Sequence, residues 1–306
     1  ECVWMQGKDD AVTEAVWPVL SDKEARCTPE GQVMQLGGAR SVYDINRDFE
    51  QQLAAARKEL WTSRGPQKML DEVRRVTGIR RLGALPPPVC DKTGSISRKG
   101  YRIEKLVLRP EPGIWLPAHA FVPEKSGGDA TLYVHGLGKQ ADAGPGGPIE
   151  RLVAQGQIVL AMDPRGFGET QKTEKSAYSD YLGSEWKEAF LAYLLGKSYL
   201  AVRAEDVLVG ARFLETYAKT EGPRRVHLTA IGQACPAALH AAALEPGQFA
   251  SVSLKDALES WAQVVNKPLA KGQFVNVVHG ALAVYDLPDL VDSLPKDKVT
   301  ATYLAP

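Results

Sequence analysis

Residues 225–244 constrain this chain more than any other stretch. A strand-like run breaks there at a glycine and passes at once into an alanine-rich helix. Val226, Leu228, Ala230 and Ile231 read as a buried strand. The run from Pro236 to Leu244 has the small residues of a helix packed close against a sheet. A strand feeding directly into a covering helix is the repeating unit of a largely parallel sheet flanked by helices, so the fold class is α/β. The turn between the two is also where such a sheet can raise a nucleophile, in the pattern G-x-S-x-G, with small residues where side chains would clash. The five positions here are Ala230, Ile231, Gly232, Gln233 and Ala234, and Gly232 stands where the serine would be.

The rest of the chain agrees with that sheet. Ala130–His135 and Ile158–Met162 are continuous apolar strands, with a helix over Pro148–Gln155 between them. Helices follow over Ser184–Leu195 and Tyr199–Tyr217. After the central turn come a strand at Phe249–Leu254, a loop at Val275–His279, a helix at Leu287–Leu294 and a strand at Lys298–Leu304. Tyr101–Leu108 and Ile114–Val122, joined across Gly113, read as an antiparallel hairpin ahead of the parallel part. Three regions result: residues 1–40 as a linker or wrapping tail, 41–100 as a helical segment with a Pro-rich connector, and 101–306 as the sheet domain. Within the second region, Ile45, Phe49, Leu53, Ala56 and Leu60 predict an amphipathic helix over Ser41–Trp61. Leu70, Val73 and Val76 predict a shorter one stopped by Gly78, and Leu85–Gly100 reads as proline followed by polar connector.

Composition excludes several partners. Lys+Arg and Asp+Glu both number 37, so no polyanion is steered toward the surface, and neither a nucleic acid nor a membrane partner is expected. The apolar runs are too short and too interrupted to span a bilayer. Cys2, Cys27, Cys90 and Cys235 lack metal-ligand spacing, so no metal and no cofactor is expected, while one disulfide such as Cys2–Cys27 stays open. The start at Glu1 reads as processed or excised.

Taken together, the hairpin, the strand ending His135-Gly136, the strand ending Asp163-Pro164-Arg165-Gly166-Phe167-Gly168 and the strand-turn-helix at 225–244 resemble the α/β-hydrolase superfamily. The branch is that of the acetyl xylan esterases and dienelactone-hydrolase-like carboxylesterases, and the resemblance covers about two-thirds of the chain. A typical elbow of that branch reads Arg-Ile-Gly-Val-Thr-Gly-Gly-Ser-Gln-Gly-Gly. Residues 225–235 align with it without a gap, matching at Arg225, Thr229 and Gln233 and placing Gly232 on the nucleophile. The resemblance implies an α/β-hydrolase-type, mostly parallel sheet whose acid follows the strand at Lys298–Leu304 and whose histidine follows one strand more. Both would lie beyond Pro306, leaving the fold short of its last strands. It further implies a degenerate domain of a tandem bacterial protein, secreted or periplasmic, working beside another hydrolase domain or chain and meeting a small ester or carbohydrate.

Several side chains remain candidates on this reading. His135, Gly136 and the main-chain N–H of Gln233 resemble an oxyanion hole, or else His135-Gly136 is a plain tight turn. Cys235, at a helix N-terminus, is an alternative nucleophile or a buried apolar cysteine. Arg165 is expected to form a structural salt bridge, with Asp163 or a neighbouring loop. His119 and His227 fall in strands, His240 in the helix and His279 in a loop. A rival from another class is a dinucleotide site, because Gly136–Ala141 follows a strand as G-x-G-x-x-A and Asp163 ends the next one. Against it, Gly144–Pro148 forbids the helix that must begin inside that fingerprint.

Overall fold

The computed structural model describes Met5, Gly7 and residues 15–174, 176–218 and 222–304. The pairing of Cys2 with Cys27 falls outside the described residues, because Cys2 does. The chain separates into two compact units, Glu1–Ile45 and Asn46–Pro306. The first contains a short 3-10 turn at Val33–Gln35 and exposed Val16, Trp17 and Val19. It also contains the start of α1 (Val42–Arg64), where Ser41 Oγ accepts the Asp44 N–H at 3.3 Å and Asp44 accepts the Ser41 N–H at 2.8 Å.

In the second unit the remainder of α1 turns a different face inward from the one the apolar spacing predicts. Phe49 is 59% exposed while Glu50 and Arg57 are buried. The reason is polar: Arg57 donates to Leu282 O at 2.6 Å and lies 3.4 Å from Asp289, and Trp61 Nε1 donates to Val284 O at 2.9 Å. Helix α2 (Pro66–Thr77) follows the expectation, with Val73 buried and Gly78 closing it at φ 77.

The sheet has eight strands among the described residues: β1 (Val89–Arg98), β2 (Tyr101–Arg109), β3 (Leu116–Pro123), β4 (Asp129–His135), β5 (Ile158–Met162), β6 (Arg225–Ile231), β7 (Ser251–Ala257) and β8 (Val299–Tyr303). Their spatial order is β1-β2-β3-β5-β4-β6-β7-β8. The first three pair antiparallel, β3 pairs antiparallel with β5, and β5 through β8 run parallel. β1 lies in a stretch expected as polar connector. It is an edge strand with mostly exposed residues, so it lacks the alternation that would announce it.

Helices cover both faces. α3 (Pro148–Ala154) packs over Phe121, Tyr133, Val159 and Ala161. On the other side lie α6 (Tyr199–Thr216), α7 (Cys235–Leu244) and α9 (Leu287–Ser293) over the main core, which contains Leu132, Leu160, Leu208 and Leu228. α7 is buried at every position from Cys235 to Leu244, and its alanines let it sit close to the strands. Between β5 and α6 the chain makes α4 (Ser179–Leu182) and α5 (Trp186–Leu194), and α8 (Trp261–Asn266) follows β7. No helix among the described residues is long and apolar enough to cross a membrane. The turns after β4, β5, β6 and β7 all emerge at the carboxyl end of the parallel strands, where sheets of this type place their sites.

Candidate functional site

Gly232 sits at the apex of the turn after β6 with φ 61, and the 3-10 turn Gly232–Ala234 leads directly into α7. That left-handed conformation suits glycine, and a side chain there would meet no atom within 4 Å. The sharp strand-to-helix turn expected at 230–234 is thus present, with no side chain at its apex. Gly136 lies against the same turn: a Cβ added to it would stand 2.9 Å from Gln233 N, too close for any other residue. The register His135↔Ile231 brings the two turns side by side.

The expected oxyanion donors are only partly available. Gly136 N–H donates to Ile231 O at 2.9 Å, and Leu137 N–H donates to the His135 Nδ1 at 2.9 Å, which holds His135 to its own turn. The His135-Gly136 segment is therefore bound up as a tight turn. The Gln233 N–H meets no acceptor among the described residues.

Cys235 is 2% exposed and its thiol donates to Lys255 O at 3.3 Å. Burial pushes that thiol up to about 12, the reverse of what a thiolate nucleophile requires.

Two buried ionic clusters brace the neighbouring loops; Arg165 forms the expected structural salt bridge, but with Asp206 on α6 and not with Asp163. Asp163 pairs with Lys139, not Arg165: its carboxylate accepts the Lys139 N–H at 2.6 Å, the Lys139 ammonium at 2.8 Å and the Glu169 N–H at 3.0 Å. Arg165 instead grips Asp206 on α6, with Nη2 at 2.7 Å and its own N–H at 3.0 Å. The same facts remove the dinucleotide reading of Gly136–Ala141. Turns, not a helix, follow Gly136, the next helix starts at Pro148, and Asp163 is 1% exposed and already saturated by Lys139, so it is closed to a ribose.

Sequence reasoning missed Arg203, which is 1% exposed in α6. Its guanidinium lies over Phe167 at 4.2 Å and Tyr199 at 4.5 Å, donates to Arg165 O and to Asn276 Oδ1, each at 3.0 Å, and stands 3.8 Å from Glu185. Asn276 Nδ2 in turn donates to Gln233 Oε1. A chain of polar groups therefore ties the elbow to the loop after β5. The available signal was the cluster Arg203, Glu205 and Asp206 between the apolar runs of this helix, which places charges on a buried face.

The histidines do not converge on Gly232. His119 lies in β3, opposite Ala161. His227 bonds Ser251 near the opposite end of β6, and His279 packs edge-on to Tyr193. His240 is wholly buried in α7, its Nδ1 2.6 Å from Pro236 O and its Nε2 2.7 Å from Tyr285 Oη. A neutral ring satisfies both contacts, with Nδ1–H donating to the carbonyl and Nε2 accepting from the phenol. Burial lowers this imidazole to about 4, against the smaller opposing pull of the Pro236 carbonyl. Above pH 6.5 the group is neutral folded and unfolded and contributes nothing to pH dependence. Between 6.5 and about 4 only the unfolded chain takes the proton, so stability falls by roughly 1.4 kcal/mol per pH unit as pH drops. Urea unfolding at a series of pH values should show His240→Gln with a shallower slope in that window. Parallel slopes would mean the ring is charged in the fold.

No protein family matches the sequence, and no curated protein matches it. Among solved structures, the chain is similar to a putative acetyl xylan esterase from Bacteroides fragilis at 16% identity and a TM-score of 0.64, over 88% of this chain and 77% of that one. The fold is that of an α/β-hydrolase. Acetyl xylan esterase 1 from Thermoanaerobacterium sp. is also similar, at 16% identity and a TM-score of 0.48, covering 75% of each chain. In this α/β-hydrolase fold, the turn at Gly232 leaves β6 at the carboxyl end of the parallel strands beside the turn after β4, and α6 and α7 lie in the helix layer over the main core.

Proposed function

We propose that this α/β-hydrolase-fold domain is catalytically silent at the elbow and serves as a structural or accessory module beside an ester hydrolase, another domain or chain acting on a small ester or carbohydrate. The observation that carries the reading is Gly232, a residue without a side chain at the apex of an intact elbow. Cys235, the nearest thiol in sequence, supports it by being buried, donating to Lys255 O and held far from the thiolate form. The Gln233 N–H favours a second reading, in which an ester is turned over with help from groups outside this chain, because one oxyanion donor survives loss of the serine.

Hydrolysis of p-nitrophenyl acetate by this chain tests the silent reading. The expected rate is that of buffer, unchanged by Cys235→Ala. Saturable turnover that disappears with Cys235→Ala would overturn the silent reading. Gly232→Ser should fold, since the space is open, at a cost of about 1–2 kcal/mol for a side chain in a left-handed conformation. The variant should still fail to hydrolyse the ester, and its turnover would reveal an acid and base within reach of residue 232.

A further inference from the structure

A concavity lies between α5, the segment Gly196–Tyr199 and residues 274–279, the last linked to the turn at Gly232 through the Asn276–Gln233 hydrogen bond. It encloses about 450 Å³, within the usual range for a small-molecule site. Its walls carry Phe190, Tyr193, Tyr199 and Phe274, with His279 and Lys197 also lining it. Phe190 and Phe274 lie 4.9 Å apart with their planes tilted by 41°, and Tyr193 meets His279 edge-on at 5.2 Å, so the rings hold one another in a fixed apolar wall.

The polar groups narrow the guest. Ser198 is spent, since its hydroxyl donates to Thr77 O at 3.1 Å and caps the Ala201 N–H at 3.0 Å. Lys197 is not. Its ammonium lies 3.5 Å from Glu205 Oε1, a carboxylate that Arg80 already holds through its guanidinium at 2.7 Å and its main-chain N–H at 2.9 Å. The lysine is thus the loosest member of that cluster, half-buried and lining the cavity. A sugar would bring several hydroxyls to walls that are mostly aromatic and aliphatic, leaving them without partners. A planar ring bearing one carboxylate brings apolar surface to the rings and its charge to Lys197.

We propose that this cavity binds an aromatic carboxylate, with Phe190 and Phe274 against the ring and Lys197 on the carboxylate. The inference is independent of the proposed silence of the elbow, and its test involves no hydrolysis.

Isothermal titration with trans-cinnamate, trans-cinnamamide and xylose reads it directly. Cinnamate should bind saturably, the neutral amide about tenfold more weakly and xylose not at all, since a charge-assisted contact is roughly twice as strong as a neutral one. Lys197→Gln should bring the acid down to the affinity of the amide. Phe190→Ala should weaken both by about tenfold through lost ring contact. Phe190 is partly exposed, so its truncation leaves the fold intact, which circular dichroism would verify. Absence of saturable cinnamate binding, equal affinity for acid and amide, or indifference to Phe190→Ala would overturn the proposal. Binding of xylose in place of cinnamate would make this a sugar site and overturn it equally.

Discussion

Arg203→Met should lower the unfolding free energy by roughly 3–5 kcal/mol, the cost of removing one member of a buried polar cluster while leaving the others in place. The methionine fills much of the volume between Phe167 and Tyr199, so the loss is not chiefly a cavity effect. What disappears is the donor to Arg165 O and to Asn276 Oδ1, together with the cation facing two rings. Burial pulls the guanidinium below its ordinary value, while Tyr199 and Glu185 oppose the shift. Arg203→Lys keeps the charge and loses the planar fork, so it should recover less than half of the deficit. Urea denaturation followed by far-ultraviolet circular dichroism measures both. If Arg203→Met proves too unstable to purify, Asn276→Ala leaves the arginine with its carbonyl partner and should cost about 1–3 kcal/mol for the lost side-chain bonds. A loss under about 1 kcal/mol in both variants would show that the connection from Gln233 to Arg165 does not carry stability.

The parallel part of the sheet was legible because its strands are continuous apolar runs and its central helix is mostly alanine and leucine. Gly232 was legible for the same reason: a turn that tight has few occupants. β1 was not, because an edge strand exposes both faces and its composition resembles a loop. The inward face of α1 was misread because Arg57 and Trp61 find carbonyl partners more than two hundred residues away, and those partners outweigh the weak apolar stripe around Phe49. The partner of Asp163 was not legible for a like reason. Arg165 was open to Asp163 or to a neighbouring loop, and the loop after β4 folds back to bring Lys139 to the carboxylate.

Asp163→Asn should cost about 3–5 kcal/mol, and the reason lies in Lys139 more than in the aspartate. The Lys139 side chain is 2% exposed; once Asp163 is neutral, its ammonium retains only Glu169, whose side chain is 58% exposed. The Lys139 ammonium and the Glu169 N–H share Oδ2, while the Lys139 main-chain N–H takes Oδ1. In either orientation of the asparagine, its amide nitrogen therefore faces a donor: the ammonium and the Glu169 N–H together, or the Lys139 main-chain N–H. An unpaired cation held out of water is the dominant loss, so a second substitution that removes it should help. Lys139→Met alone leaves Asp163 as an uncompensated buried carboxylate and should be nearly as damaging. The double variant Asp163→Asn, Lys139→Met should recover at least half of the combined loss, because neither charge is then stranded. Chemical denaturation of the four proteins gives the coupling directly. Strict additivity would mean that the two groups are solvated independently in the fold. Strong recovery would mean that the loop carrying Gly136 is held against the elbow by a mutual neutralisation that either partner alone turns into a liability.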